Sequence, residues 1–185
     1  TIHGYGGNVG ESNPGIWFRG SNSILANGNG NVHITAEKGA NSSLDIDWIS
    51  GNFEALTTIS AGMGSGQVNL TADSLIVPNL YLQGADVQIE PRSPGTDIGV
   101  AGGPGTLAIT SSILENTTAG NLKIGRSDGY GLISVGQYAW DDPVEFITNA
   151  PGMIQLSGPQ TAQPGSDATM TFTGHARTYY DIDMS

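Results

Sequence analysis

Gly103-Pro-Gly-Thr-Leu-Ala-Ile-Thr110 decides the fold, because two other octads repeat its plan. Gly28-Asn-Gly-Asn-Val-His-Ile-Thr35 and Gly64-Ser-Gly-Gln-Val-Asn-Leu-Thr71 share with it the template Gly-x-Gly-x-aliphatic-x-aliphatic-Thr. A residue without Cβ enters φ > 0 at little steric cost, so the paired glycines predict a tight corner. Aliphatics two positions apart then fall on one side of a strand and polar residues on the other. A looser copy stands at Gly129-Tyr-Gly-Leu-Ile-Ser-Val-Gly136, with shortened ones at Gly120–Gly125 and Gly152–Ser157. Repetition of this kind marks a solenoid.

Spacing and composition extend that reading. The octads start 36 and 39 residues apart, and a solenoid coil of about 20 residues makes each interval two coils. The step from Gly103 to Gly129 reads as one coil with an excursion around Arg126-Ser-Asp128. About nine coils at ~4.8 Å give a rod on the order of 45 Å. Val32, Ile34, Val68, Leu70, Leu107 and Ile109 are expected in two inward columns. The 185 residues include 28 glycines, and only 37% are hydrophobic. Such a chain fills a narrow apolar column more readily than a compact core.

Six basic residues stand against 17 acidic ones, for a net charge of −11. That balance argues against a nucleic-acid partner, which needs clustered Lys and Arg, and against an anionic membrane surface. Without cysteine there is no disulfide framework or thiolate metal site. No apolar run approaches the ~20 residues of a membrane span. Thr1 opens without a basic and apolar leader, which reads as a mature or excised segment.

Taken in order, Ile16-Trp-Phe18 and Ser23–Ala26 read as strands before the first octad, and Leu44–Trp48 and Ala55–Ile59 before the second. Trp17 and Trp48 thereby take comparable places. Asn79–Leu82 and Ala85–Ile89 alternate, the latter with Val87 and Ile89 inward. Tyr138–Pro143 breaks the alternation and Val144–Ile147 resumes it. Gln160–Ser166 reads as a loop, Ala168–Gly174 as a strand with Met170 and Phe172 inward, and the tail as an acidic segment able to fold over the end. Helical periodicity is missing, Ser112–Asn116 being the nearest to one turn. Residues 1–136 are therefore expected as coils. Residues 137–185 are expected as less regular coils and a tail of the same all-β domain, with almost no α-helix.

Leu107-Ala-Ile-Thr-Ser-Ser-Ile-Leu-Glu-Asn-Thr-Thr-Ala-Gly-Asn-Leu-Lys-Ile-Gly125, followed by Gly131–Val135, resembles the repeats of filamentous-haemagglutinin-like bacterial exoproteins. Gly15-Ile-Trp-Phe18 and Asn31-Val-His-Ile-Thr35 are similar to other repeats of the same giant proteins. The resemblance spans roughly residues 1–136. It implies a right-handed parallel β-helix, secretion to the cell surface, and an adhesive or structural role. Solenoid-like sequence starts with no amphipathic cap before Ile16, so the N-terminal end is expected to stack on another subunit or on upstream chain, with host or matrix glycans as candidate partners.

Chemistry is sparser. Asp45/Asp47 and Asp181/Asp183 are carboxylate pairs two apart and are weak Ca²⁺ candidates, set against a reading as solvent-facing strand residues. His33 sits between inward Val32 and Ile34 and is expected in solvent, far in sequence from His3 and His175. No nucleophile elbow, phosphate loop or zinc motif occurs, and no cofactor is implied. Tyr138, Trp140, Asp141 and Asp142 form the aromatic and acidic cluster best suited to a sugar. These features predict a non-catalytic β-solenoid, and the resemblance implies that it is extracellular. The rival is a β-helical polysaccharide-degrading enzyme or a tail-spike-like glycan-binding domain, which requires carboxylates from successive coils to converge.

Overall fold

Period-two alternation places one apolar row on each strand, and stacked strands join these rows into columns. The computed structural model describes residues 1–9, 13–27, 29–49 and 56–185. Gly28 and Ala55 lie outside the described residues. The first winding holds β1 (Ile2–Tyr5), β2 (Ile16–Arg19) and β3 (Asn22–Leu25), and the second β4 (Val32–Glu37), β5 (Ile46–Ile49) and β6 (Thr57–Ser60). Next come β7 (Gln67–Thr71), the long β8 (Leu80–Glu90), β9 (Ile98–Val100), β10 (Leu107–Ile109), α1 (Ser111–Glu115) and β11 (Thr117–Gly125). The chain continues through β12 (Leu132–Val135), β13 (Tyr138–Trp140), β14 (Val144–Ile147), β15 (Met153–Leu156) and β16 (Gln160–Ala162). β17 (Met170–Thr173), β18 (Ala176–Thr178) and β19 (Ile182–Asp183) complete it.

Among the described residues the pairings are all parallel, in a β-solenoid. The main sheet runs β1-β4-β7-β8-β11-β14-β17, with β3 and β6 as a side arm that joins the N-terminal half of β8. A second wall is β10-β9-β12-β15-β18, a third is β13-β16-β19, and β2 pairs with β5. Register sets Val32, Val68, Val87, Leu122, Val144 and Met170 in one column. Ile2, Ile34, Leu70, Ile89, Ile124, Phe146 and Phe172 form the next. From Val32 to Phe146 these side chains are buried. They are the core.

The coil count differs from expectation. Val32 lies directly beside Val68, so the interval between the first two octads is one coil. That coil carries three strands, because β2, β3 and β4 pair respectively with β5, β6 and β7. The strand, strand, corner and strand unit is thus one turn of the solenoid. Seven strands cross the main sheet, so at ~4.8 Å per coil it extends about 30 Å. Coil lengths vary after that: Val68 meets Val87, Val87 meets Leu122, Ile124 meets Phe146, and Phe146 meets Phe172.

The third octad also differs. Leu107 and Ile109 are buried, but they pair with Ile98 and Val100 in the second wall rather than with Val68 and Leu70. The chain turns at Ala101 (φ 50°) and Gly102 (φ 85°) and lays β10 beside β9. Gly103 and Gly105 serve close approach rather than positive φ. A Cβ on Gly103 would overlap the Ser134 carbonyl oxygen, and one on Gly105 the Gly99 nitrogen.

Two smaller expectations change. Register sets Trp48 beside Phe18, while Trp17 pairs with Asp47 and is 56% exposed. Gln160 begins a strand instead of a loop, since its buried side chain donates from Nε2 to the Gly136 and Gly158 carbonyls (2.7 and 2.8 Å). The tail extends the third wall, β19 pairing with β16, and its Met184 packs against the core. Among the described residues the helical content is α1, at the turn singled out from sequence. Thr110 Oγ1 caps it by accepting from Ile113 N (3.3 Å).

Candidate functional site

The side arm stops where the polar residues of α1 and β13 come together. The N-terminal half of β11 pairs with β8. One coil later β13 pairs with β16 and not with β11. Ala119 N, at this break, donates instead to Asp142 Oδ2 at 2.8 Å. A side chain has replaced a strand, and the wall opens beside it.

The opening is a groove of about 540 Å³ lined by Ser111 and Glu115 of α1, Gln137, Tyr138 and Asp141 around β13, and Thr161 and Gln163 around β16. Ala139 and Pro159 complete it. Both flanks are anchored. Ile113 and Leu114 of α1 are buried, and Ser112 Oγ donates to the Pro78 carbonyl (3.3 Å). Tyr138 packs edge-on against Trp140 (4.8 Å between rings), Trp140 against Phe146 (5.7 Å), and Phe146 stacks on Phe172 (6.0 Å). An aromatic row thus ties the groove to the core.

Of the four residues expected to meet a sugar, Tyr138 and Asp141 line this groove. Trp140 is 2% exposed, with its Nε1 donating to Gln160 Oε1 at 2.9 Å, so its face is not offered to a ligand. Asp142 is committed to Ala119. Burial pushes the Tyr138 hydroxyl up to about 12, and Glu115, Asp141 and Asp142 add to the rise. Burial likewise raises Asp142; the Ala119 N–H opposes this, while Asp141 and Asp167 reinforce it. The groove's lining carries two carboxylates, Glu115 and Asp141, and no basic side chain.

Sequence reasoning did not find Ser111, Glu115, Gln137, Thr161 or Gln163. Glu115 ends the singled-out helical turn, which was the available signal; the others depend on which coils are neighbours.

The other candidates stay apart. Asp45 is 1% exposed rather than solvent-facing. It accepts from Lys38 N (2.7 Å), Asp73 N (2.6 Å) and Ser74 Oγ (3.2 Å), joining consecutive coils. Asp47 is half-buried opposite Trp17. Asp181 and Asp183 are exposed at β19, where bonds from Ser185 hold the Asp183 carboxyl below its ordinary range. His33 is exposed as expected. It shares a shallow depression with His3, Thr35, Asn69, Thr71 and Glu90 on the outer face of the main sheet, and His175 does not join them. Among the described residues, no three His, Asp or Glu side chains group so as to hold a metal ion. No helix among them is long and apolar enough to cross a membrane.

Compared with protein-family models, curated proteins and solved structures, the chain matches none.

Proposed function

We propose that this chain is a non-catalytic binding segment of an extracellular fibre or adhesin, and that it holds a carbohydrate chain in the groove between α1 and the β13-β16 wall. The observation that carries the reading is the groove itself, about 540 Å³ with hydroxyl, amide and carboxylate groups around the half-buried Tyr138. Sugars are bound by such convergent polar groups beside an aromatic surface in clefts of roughly 300–1,000 Å³. The repeat resemblance supports the surface setting. The outer edges of β1 and β17 end the main sheet and suit further coils stacked end to end.

Glu115 and Asp141 share the groove, which favours a glycan-cleaving enzyme as the second reading. A glycan array read alongside release of reducing ends separates the two. Binding without release is expected, weakened at least tenfold by Tyr138→Ala. Release of reducing ends selects the enzyme, and absence of any glycan binding overturns both.

A further inference from the structure

Several acids among the described residues are tied to a donor. Asp86 pairs with Lys123 (3.2 Å), and Asp73 and Glu37 meet Arg92 (3.7 and 3.6 Å). Asp128 pairs with Arg126, Asp45 accepts three donors, and Glu90 accepts from Thr71 Oγ1 and Gln88 Nε2. Glu115 and Asp141 are not so tied, and unlike Asp47, Asp167 and Asp181 they share a groove. Both are exposed, and neither has a hydrogen-bond or ion-pair partner among the described residues. Both line the one groove, which has no Lys, Arg or His in its lining. No base figures among the charges acting on Tyr138 or Asp142, whereas Glu115, Asp141, Asp142 and Asp167 do.

We infer that the groove selects a saccharide bearing free amines, with an ammonium group drawn to Glu115 and Asp141 while Tyr138, Gln137, Thr161 and Gln163 meet its ring and hydroxyls. The inference rests on the carbohydrate reading above. Its physical basis is that a recess lined by one sign of charge concentrates the opposite charge and repels its own. A uronate or sulfated saccharide brings a further anion into a space whose existing carboxylates already disfavour ionisation of Tyr138. A polar amide in place of the amine keeps the hydroxyl contacts and loses the attraction. The groove is open to water, so the preference is moderate and salt-sensitive, on the order of tenfold.

The test is calorimetric titration of the whole chain with a glucosamine tetramer, its fully N-acetylated counterpart, a galacturonate tetramer and a tetralysine peptide. The pH is about 5.5, which keeps the saccharide's amines protonated, and the salt is about 25 mM and then about 500 mM, which shortens the screening length severalfold. The expected order is amino sugar, acetylated sugar, then uronate, with the first preference about tenfold at low salt and largely lost at high salt. Paired Glu115→Gln and Asp141→Asn changes should bring the ratio of the first two close to one, with the thermal unfolding midpoint unmoved because both positions are exposed. A ratio unchanged in that double variant, or uronate binding as tightly as the amino sugar, overturns the charge selection while leaving a carbohydrate site standing. Tetralysine binding as tightly as the amino sugar shows a general cation site and overturns it as well. Failure of all three saccharides overturns the carbohydrate reading itself.

Discussion

The main sheet and the side arm share β8 and β11 and end differently. In the main sheet each coil passes its bonds to the next: Leu122 N donates to Pro143 O (2.8 Å), Val144 N to Thr169 O (2.8 Å), and Thr148 N to Thr173 O (2.9 Å). In the side arm Thr57 N finds Asn79 O and Leu82 N finds Asn116 O (3.0 and 3.2 Å), but Ala119 N meets a carboxylate. An unmet buried N–H costs free energy, so a wall ends cheaply only where a side chain takes over its last donor. Repetition therefore builds the rod, and the interruption opens the groove.

The largest test of this contrast removes a side chain from the unbroken sheet. Phe146 is fully buried between Trp140 and Phe172, so Phe146→Ala should cost about 3–5 kcal/mol in urea unfolding. Gln163→Ala, in the exposed groove lining, should stay within about 0.5 kcal/mol; equal losses would erase the distinction between rod and groove. Asp45→Ala strands three donors in two coils of the rod and should cost about 2–3 kcal/mol, with Asp45→Asn recovering part of it.

Asp142→Ala acts on the break itself. It should cost about 1 kcal/mol and speed amide hydrogen exchange at Ala119 while leaving Leu122 protected. Protection retained at Ala119 would show that the carboxylate does not close the wall. The smallest effect concerns pH. Tyr138 loses its proton near its ordinary value when unfolded and at about 12 when folded. Between those values the folded chain holds the extra proton, so stability falls as pH rises from about 10 to 12 and is unaffected by this group below that window. Thermal unfolding across the window should therefore show a smaller alkaline loss in Tyr138→Phe than in the parent chain; parallel curves would remove Tyr138 from the groove's electrostatics.

Much of the rod is readable from residue order. Val32, Ile34, Val68, Leu70, Val87 and Ile89 are buried where alternation puts them, and His33 is exposed between two of them. The face a residue takes on an extended strand is set by its own backbone, with a period of two that needs no distant partner. The stretch Ser112–Asn116 stood out as the nearest to one helical turn, but nothing local to it marked Glu115 as part of a groove. Neighbouring coils are another matter. Octads of one template lie in two walls, β4 and β7 in the main sheet and β10 in the second, because the turn at Ala101-Gly102 folds the chain back before the third octad reaches its place. Pairing between coils depends on how far each connection carries the chain before it returns, and connection lengths here vary widely. That non-local choice sets seven coils instead of nine, buries Trp140 against Gln160, and brings Glu115 to Asp141. Local alternation determined which side chains face inward; lateral pairing of distant strands decided which of them meet, and so where the groove lies.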